Sequence, residues 1–110
     1  MHELSISRNI VAIVGEAARG RRVRRVTLEI GKLSGVMCEA LAFSFDLVAQ
    51  GTAVEGAALD IREIEGRARC LQCDAELVVP DFFTVCRCGS RRLSHLSGEE
   101  LNVKSIDLED

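Results

Sequence analysis

The chain has 110 residues, 47% of them apolar, and a formal net charge of −3. That length allows one modest core, or a core plus a small metal-stapled module, and the acidic balance argues against a protein built mainly to grip nucleic acid. No run approaches the roughly 18 apolar residues of a membrane span, and Met1-His2-Glu3-Leu4-Ser5 lacks the pattern of a signal peptide, so a soluble cytoplasmic protein is expected.

From Leu4 to Arg19 the residues Ile6, Ile10, Ile13 and Ala17 recur at i, i+4, i+7, i+11, with Leu4, Val11, Val14 and Ala18 widening the stripe. This spacing predicts a helix with one buried face, ended by Gly20. Arg25 to Ile30 alternates, with Val26, Leu28 and Ile30 on one side and Arg25, Thr27 and Glu29 on the other, the pattern of a half-buried strand before Gly31. Ser34 is placed to cap a second helix reaching about Gln50 and closed by Gly51. Its expected buried stripe is Val36, Ala40, Phe43 and Leu47, supported by Leu41, Phe45 and Val48. Leu59 and Ile61 alternate with Asp60 and Arg62 in a second strand. A cysteine module follows from about Arg67 to Ser97, and after Gly98 comes a third strand, Leu101 to Leu108, whose apolar parity changes between Val103 and Ile106, as at a bulge or under burial on both faces. Consecutive elements tend to lie side by side, so this last strand is expected to return to the first sheet. The cysteine module then becomes an insertion in a two-lobed α/β (α+β) protein, with residues 1–66 completed by 98–110 in one lobe and 67–97 in the other.

The strongest chemical signal is the quartet Cys70-x-x-Cys73 and Cys86-x-Cys88. Thiolates are soft ligands, and four that converge form a closed cage suited to structural zinc. In a reducing compartment paired cysteines hold metal more readily than they form disulfides. The second pair has a single spacer, Arg87, so its loop must be tight. Residues two apart in an extended segment project to the same side, and Gly89 supplies the positive φ such a turn calls for. The remaining thiol, Cys38, is at helical spacing with Leu41, Phe45 and Val48 and is read as a buried apolar side chain.

His2 is the second point of interest. A histidine at position two should leave Met1 in place, so that the Met1 α-amine, the His2 backbone nitrogen and the His2 imidazole can form adjacent chelate rings. Several nitrogens in a plane suit Ni(II) or Cu(II). The amine titrates at about 7.7–8.0, so binding should weaken as pH falls through neutrality. Taken alone, a histidine at position two is usually just exposed, and Glu3 alone is a first-turn acid favoured by the helix dipole. Arg19, Arg21, Arg22, Arg24 and Arg25 form a basic run, read as a solvated edge ahead of an acidic-partner surface. His95 is expected to be exposed in the cysteine lobe, where exposed aromatics are not expected. No nucleophile motif, P-loop or dinucleotide fingerprint is present.

Taken together, the chain resembles the HypA/HybF family of hydrogenase nickel-incorporation proteins. The likeness runs through Met1-His2-Glu3-Leu4-Ser5, then Glu29-Ile30-Gly31-Lys32-Leu33-Ser34-Gly35-Val36 and Ala40-Leu41-Ala42-Phe43-Ser44-Phe45-Asp46-Leu47-Val48. It continues through Gly51-Thr52, the cysteines with Cys88-Gly89-Ser90, Gly98-Glu99-Glu100-Leu101 and Lys104-Ser105-Ile106. The resemblance implies a nickel metallochaperone, not an enzyme: a two-helix, three-strand nickel-binding domain with an inserted zinc-ribbon-like domain. It implies Ni(II) as cargo at His2 and Glu3 with backbone nitrogens and the Met1 amine, and structural Zn(II) at Cys70, Cys73, Cys86 and Cys88. It further implies delivery with a HypB-like GTPase to the [NiFe] hydrogenase large-subunit precursor, and in some members a role with urease maturation factors. No nucleic-acid or membrane partner is implied, and a monomer or weak homodimer is expected. Where the family usually carries Cys-Pro-x-Cys before Gly-Ser, this chain has Val85-Cys86-Arg87-Cys88, and Met37 stands where some members bring a carboxylate to the nickel. The competing reading is a zinc-ribbon adaptor that binds protein or nucleic acid through the arginine run. A zinc enzyme ranks third, because four cysteines leave no open position for substrate.

Overall fold

The structure, a computed structural model, describes residues 2–110. The elements are α1 (Glu3–Ala18), β1 (Val23–Gly31), α2 (Cys38–Ala49), β2 (Ala58–Ile64), β3 (Arg67–Cys70), β4 (Glu76–Val78), β5 (Leu93–Ser97) and β6 (Leu101–Leu108). They make two three-stranded sheets, ordered β2-β1-β6 and β4-β3-β5. The last strand returns to the first sheet as expected. The Arg22 carbonyl accepts from Glu109 and Gly31 donates to Glu100, so β6 runs antiparallel to β1. The chain divides into two compact units: one holds the chain up to Leu28, Val36–Arg62 and Asn102–Asp110, the other Glu29–Gly35 and Glu63–Leu101.

In the first unit α1 and α2 pack against each other. The buried face of α1 is Ile6, Ser7, Ile10, Val11, Val14 and Ala18. The expected stripe is therefore rotated: Ile13, Ala17 and Leu4 are exposed, and Val14 and Ala18 carry the line onward from Ile10. Ser7 joins the buried side because its hydroxyl donates to the Leu41 carbonyl at 3.3 Å, which satisfies its polar group inside the core. The helix ends on Arg19, which is left-handed at φ 50, followed by Gly20. In β1 the residues Val26, Leu28 and Ile30 are buried as predicted, but so are Val23 and Thr27, so the strand is covered more fully than half-buried. Two of the five arginines serve this unit directly. Arg21 donates to the Glu109 carbonyl at 2.7 Å and Arg22 to the Glu55 carbonyl at 2.8 Å.

Helix α2 departs from expectation at its start and on its surface. Ser34 lies in a turn, its N–H donating to the Gly31 carbonyl, and the N-cap is Met37, whose side chain cannot cap. The buried line is Leu41, Phe45 and Ala49. Phe43 and Leu47, expected inside, are 68% and 51% exposed. The helix is apolar on two sides, and periodicity alone does not choose between them.

The second unit is built on β3, antiparallel to both β4 and β5, with an irregularity between Arg67 and Ala68. Its core is small: Leu33, Ala68 and Val79, with Leu77 and Leu93 packed against them. Gly31 is a site of close approach, since a Cβ there would run into the Gly98 carbonyl. Among the described residues no helix is long and apolar enough to cross a membrane.

Candidate metal centres

The four paired cysteines come together. Cys70 ends β3, and the chain turns at once: Asp74 donates to the Cys70 carbonyl at 2.9 Å, Cys70 donates to the Ala75 carbonyl at 2.8 Å, and Asp74 takes φ 64. That turn brings the Cys73 N–H to 3.5 Å from the Cys70 Sγ. The second pair is held by a matching turn, with Gly89 donating to the Cys86 carbonyl at 2.8 Å and Cys86 donating to the Ser90 carbonyl at 3.0 Å. Gly89 adopts φ 92, the conformation that the single spacer called for. Both knuckles thereby aim inward, and the ligand atoms of Cys70, Cys73, Cys86 and Cys88 all lie within 4.8 Å of one another.

The distances discriminate between chemistries. Cys70 and Cys88 approach to 3.6 Å between sulfurs, as do Cys73 and Cys86. A disulfide needs about 2.05 Å, and all five cysteines are free. A tetrahedron with Zn–S bonds of about 2.3 Å has edges of about 3.8 Å, close to what the sulfurs already span. Electrostatics point the same way. The Cys73 and Gln72 amides draw the Cys70 thiol down to about 6. The Ala75 amide draws Cys73 down too, yet the Cys86 and Cys70 sulfurs beside it push it up to about 12. For Cys88 the Ser90 amide likewise pulls down, and burial with the Cys70 and Cys86 sulfurs overrides it upward. One thiolate is therefore welcome in this cluster, and further negative charge needs a cation. The donor set fits a soft, closed, structural ion. Cys70 and Cys86 are buried while Cys73 and Cys88 are exposed.

At the other end of the chain His2 is exposed and extended (φ −90, ψ 133) as the N-cap of α1, with no side-chain cap bond. Its carbonyl accepts the Ile6 N–H at 3.2 Å. Glu3 is the first helical residue, and its Oε2 accepts the Met37 N–H at 3.2 Å. That amide, and then Glu3's own, hold the Glu3 carboxyl below its usual range. The Met1 amine lies outside the described residues. The family resemblance put Met37 near the expected nickel ligands, but it did not give the Glu3–Met37 bond itself, which joins residues 34 apart in the chain and which no local pattern marks. Cys38 is half-buried at the first residue of α2 and stands apart from the quartet. His95 is exposed as expected and stacks on Phe82, with ring centroids 5.4 Å apart at 7°. The expectation that this lobe has no exposed aromatic is wrong, since Phe82 is 55% and Phe83 89% exposed. Neither sits in an alternating or helical pattern that would have signalled its position.

Comparison with known proteins agrees with this geometry. Residues 1–108 match the family described as hydrogenase/urease nickel incorporation, metallochaperone, hypA. A hydrogenase maturation factor HypA from Trichormus variabilis is 54% identical over 100% of this chain and 97% of its own length. One of the same name from Geobacter metallireducens is 44% identical over 99% and 100%. The solution structure of the Ni metallochaperone HypA from Helicobacter pylori shares the fold, with a TM-score of 0.70 over 98% of this chain and 97% of that one at 24% identity.

Proposed function

This chain belongs to the HypA family of hydrogenase/urease nickel-incorporation metallochaperones, and from that premise we propose that it carries Ni(II) at its N-terminus and passes it on without catalysing a reaction. The observation that carries this reading is the placement of His2: exposed, extended and one residue ahead of Glu3 at the start of a helix. His2 would offer its ring and backbone nitrogen, joined by the Met1 amine, and Glu3 a carboxylate oxygen. Nitrogen donors arranged in a plane suit Ni(II), and a chain terminus gives ligands accessible enough to hand the ion over. The recipient would be the [NiFe] hydrogenase large-subunit precursor, with a HypB-like GTPase as partner and urease maturation as a related client, all in the cytoplasm.

Cys70, Cys73, Cys86 and Cys88 would hold a structural Zn(II) in the domain at 67–97, while 1–66 with 98–110 form the nickel-binding domain. When bound, the ion cross-links two turns that a five-residue apolar cluster secures only weakly. Four protein thiolates leave no position for a substrate, so this centre supports structure and leaves cargo to the other end.

The test is nickel titration of untagged protein with metal analysis. Wild type should bind Ni(II), and His2→Ala should lose that affinity by at least about tenfold, the scale of a lost ligand interaction, with zinc staying at one per chain. Equal nickel affinity in the two proteins would remove the terminal site.

A further inference from the structure

Helix α2 presents a second apolar line on the side opposite Phe45. At 3.6 residues per turn, Ala40, Phe43 and Leu47 fall within about 60° of arc, and Phe43 and Leu47 are largely exposed. Met37, exposed as well, opens the helix at its N-cap. A contiguous exposed apolar line of this kind marks an interaction surface. Its edge is charged. Glu39 and Asp46, two turns apart, lie together along one side of the line and are exposed. Neither takes part in an ion pair among the described residues, and the helix Cys38–Ala49 contains no lysine or arginine.

The geometry points to α2 as a docking face for a partner protein's amphipathic segment, one whose apolar residues cover Ala40, Phe43 and Leu47 and whose lysines or arginines run along Glu39 and Asp46. Complementary charge along a rim selects partners and speeds encounter, and an amphipathic helix laid on an apolar face is a recurrent mode of recognition. A second copy of this chain is a poorer occupant, because the same face would bring only acidic side chains to meet Glu39 and Asp46. An anionic lipid surface would be repelled by them. The N-cap of this helix also donates its amide to Glu3, so a segment seated on the line would begin beside the first residue of α1.

The probe is a synthetic helical peptide with Leu at i, i+3, i+4 and i+7 and Lys along one edge, together with a twin in which Glu replaces Lys. Both are titrated by NMR into the full metal-loaded chain without added nickel, so that failure of the terminal nickel site and failure of this face register separately. The Lys peptide should shift the amides of residues 40–47, with affinity that falls as salt rises. Phe43→Ser with Leu47→Ser should weaken it roughly tenfold and leave thermal stability and nickel binding intact. Glu39→Lys with Asp46→Lys should reverse the preference between the peptides, and this pair tests the face even if the serine variant folds poorly. The proposal is overturned if the Lys peptide shifts another surface or none, or if the charge swap leaves the preference unchanged. It is equally overturned if sedimentation shows a dimer that the serine variant dissociates.

Discussion

Two glycines show how a single hydrogen atom on Cα is used in different ways. Gly15 is in the interior of α1, and a Cβ there meets nothing within 4 Å. Glycine in a helix costs backbone entropy without return, so Gly15→Ala should stabilise the chain by about 0.5–1 kcal/mol. Gly31 ends β1 where a Cβ would strike the Gly98 carbonyl, and the Gly31 N–H donates to Glu100 at 2.8 Å. Backbone must move to admit a methyl, so Gly31→Ala should destabilise by about 1–3 kcal/mol. Opposite shifts in denaturant midpoint for the two variants check the pair, and a loss with Gly15→Ala would mean that α1 is constrained there by something other than propensity. At this scale the convergence of Cys70, Cys73, Cys86 and Cys88 was legible in the sequence, because each pair is set by spacing and by one or two local turn bonds. The Glu3–Met37 bond was not, because it joins distant parts of the chain.

The elements tell a similar story of local success and non-local failure. The existence of both helices and of β1, β2 and β6 follows from periodicity, and Gly20 and Gly51 punctuate the helices where expected. The choice of buried face does not follow, because both helices carry more apolar residues than one stripe needs. In α2 Phe45 is buried and Phe43 is not; only packing against α1 distinguishes them. The start of α2 was misjudged for a related reason: a serine at the right spacing was given the cap, whereas the bond at Met37 comes from Glu3. Within the cysteine turns, element geometry has a pH consequence. Cys70, drawn down to about 6 by two amides of its own turn, has lost its proton at neutral pH in the metal-free chain, while Cys73 and Cys88, pushed upward, keep theirs. A lowered thiol favours the fold above its ordinary range, and that contribution is lost as pH falls through about 6. Zinc uptake displaces whatever protons remain. The number released per zinc should therefore rise by about one between pH 7.5 and pH 5, measured by calorimetry in buffers of differing ionisation enthalpy. An unchanged count would mean that Cys70 is not the thiolate that receives the metal first.

At the scale of the whole chain, the return of β6 to the sheet of β1 and β2 was readable from the count and order of strands, and it makes the cysteine-bearing strands an excursion within one continuous chain. The two units differ in what holds them. Val14, Val23, Val26, Leu28, Leu41, Phe45 and Val54 are all fully buried in the first, each worth about 1.5–3 kcal/mol of transfer for the larger side chains. The apolar cluster of the second consists of Leu33, Ala68 and Val79, with Leu77 and Leu93 only partly buried. Burial on that scale does not offset the entropy of ordering the whole unit, Glu29–Gly35 with Glu63–Leu101, so the order of the second unit is expected to depend on an ion held between its two cysteine turns. Stripping metal with a strong chelator should therefore raise amide exchange in β3, β4 and β5 by at least about tenfold, with α1 and α2 keeping their protection. Hydrogen exchange read by mass spectrometry on the intact chain resolves the two responses. If the helices lost protection together with β3–β5, the metal would be holding the whole molecule, and the small apolar cluster would not explain why. If β3–β5 kept theirs, the thiols would be structural without an ion. Helix protection with loss confined to β3–β5 would leave α1, with Glu3 as its first residue, folded while the cysteine module is open.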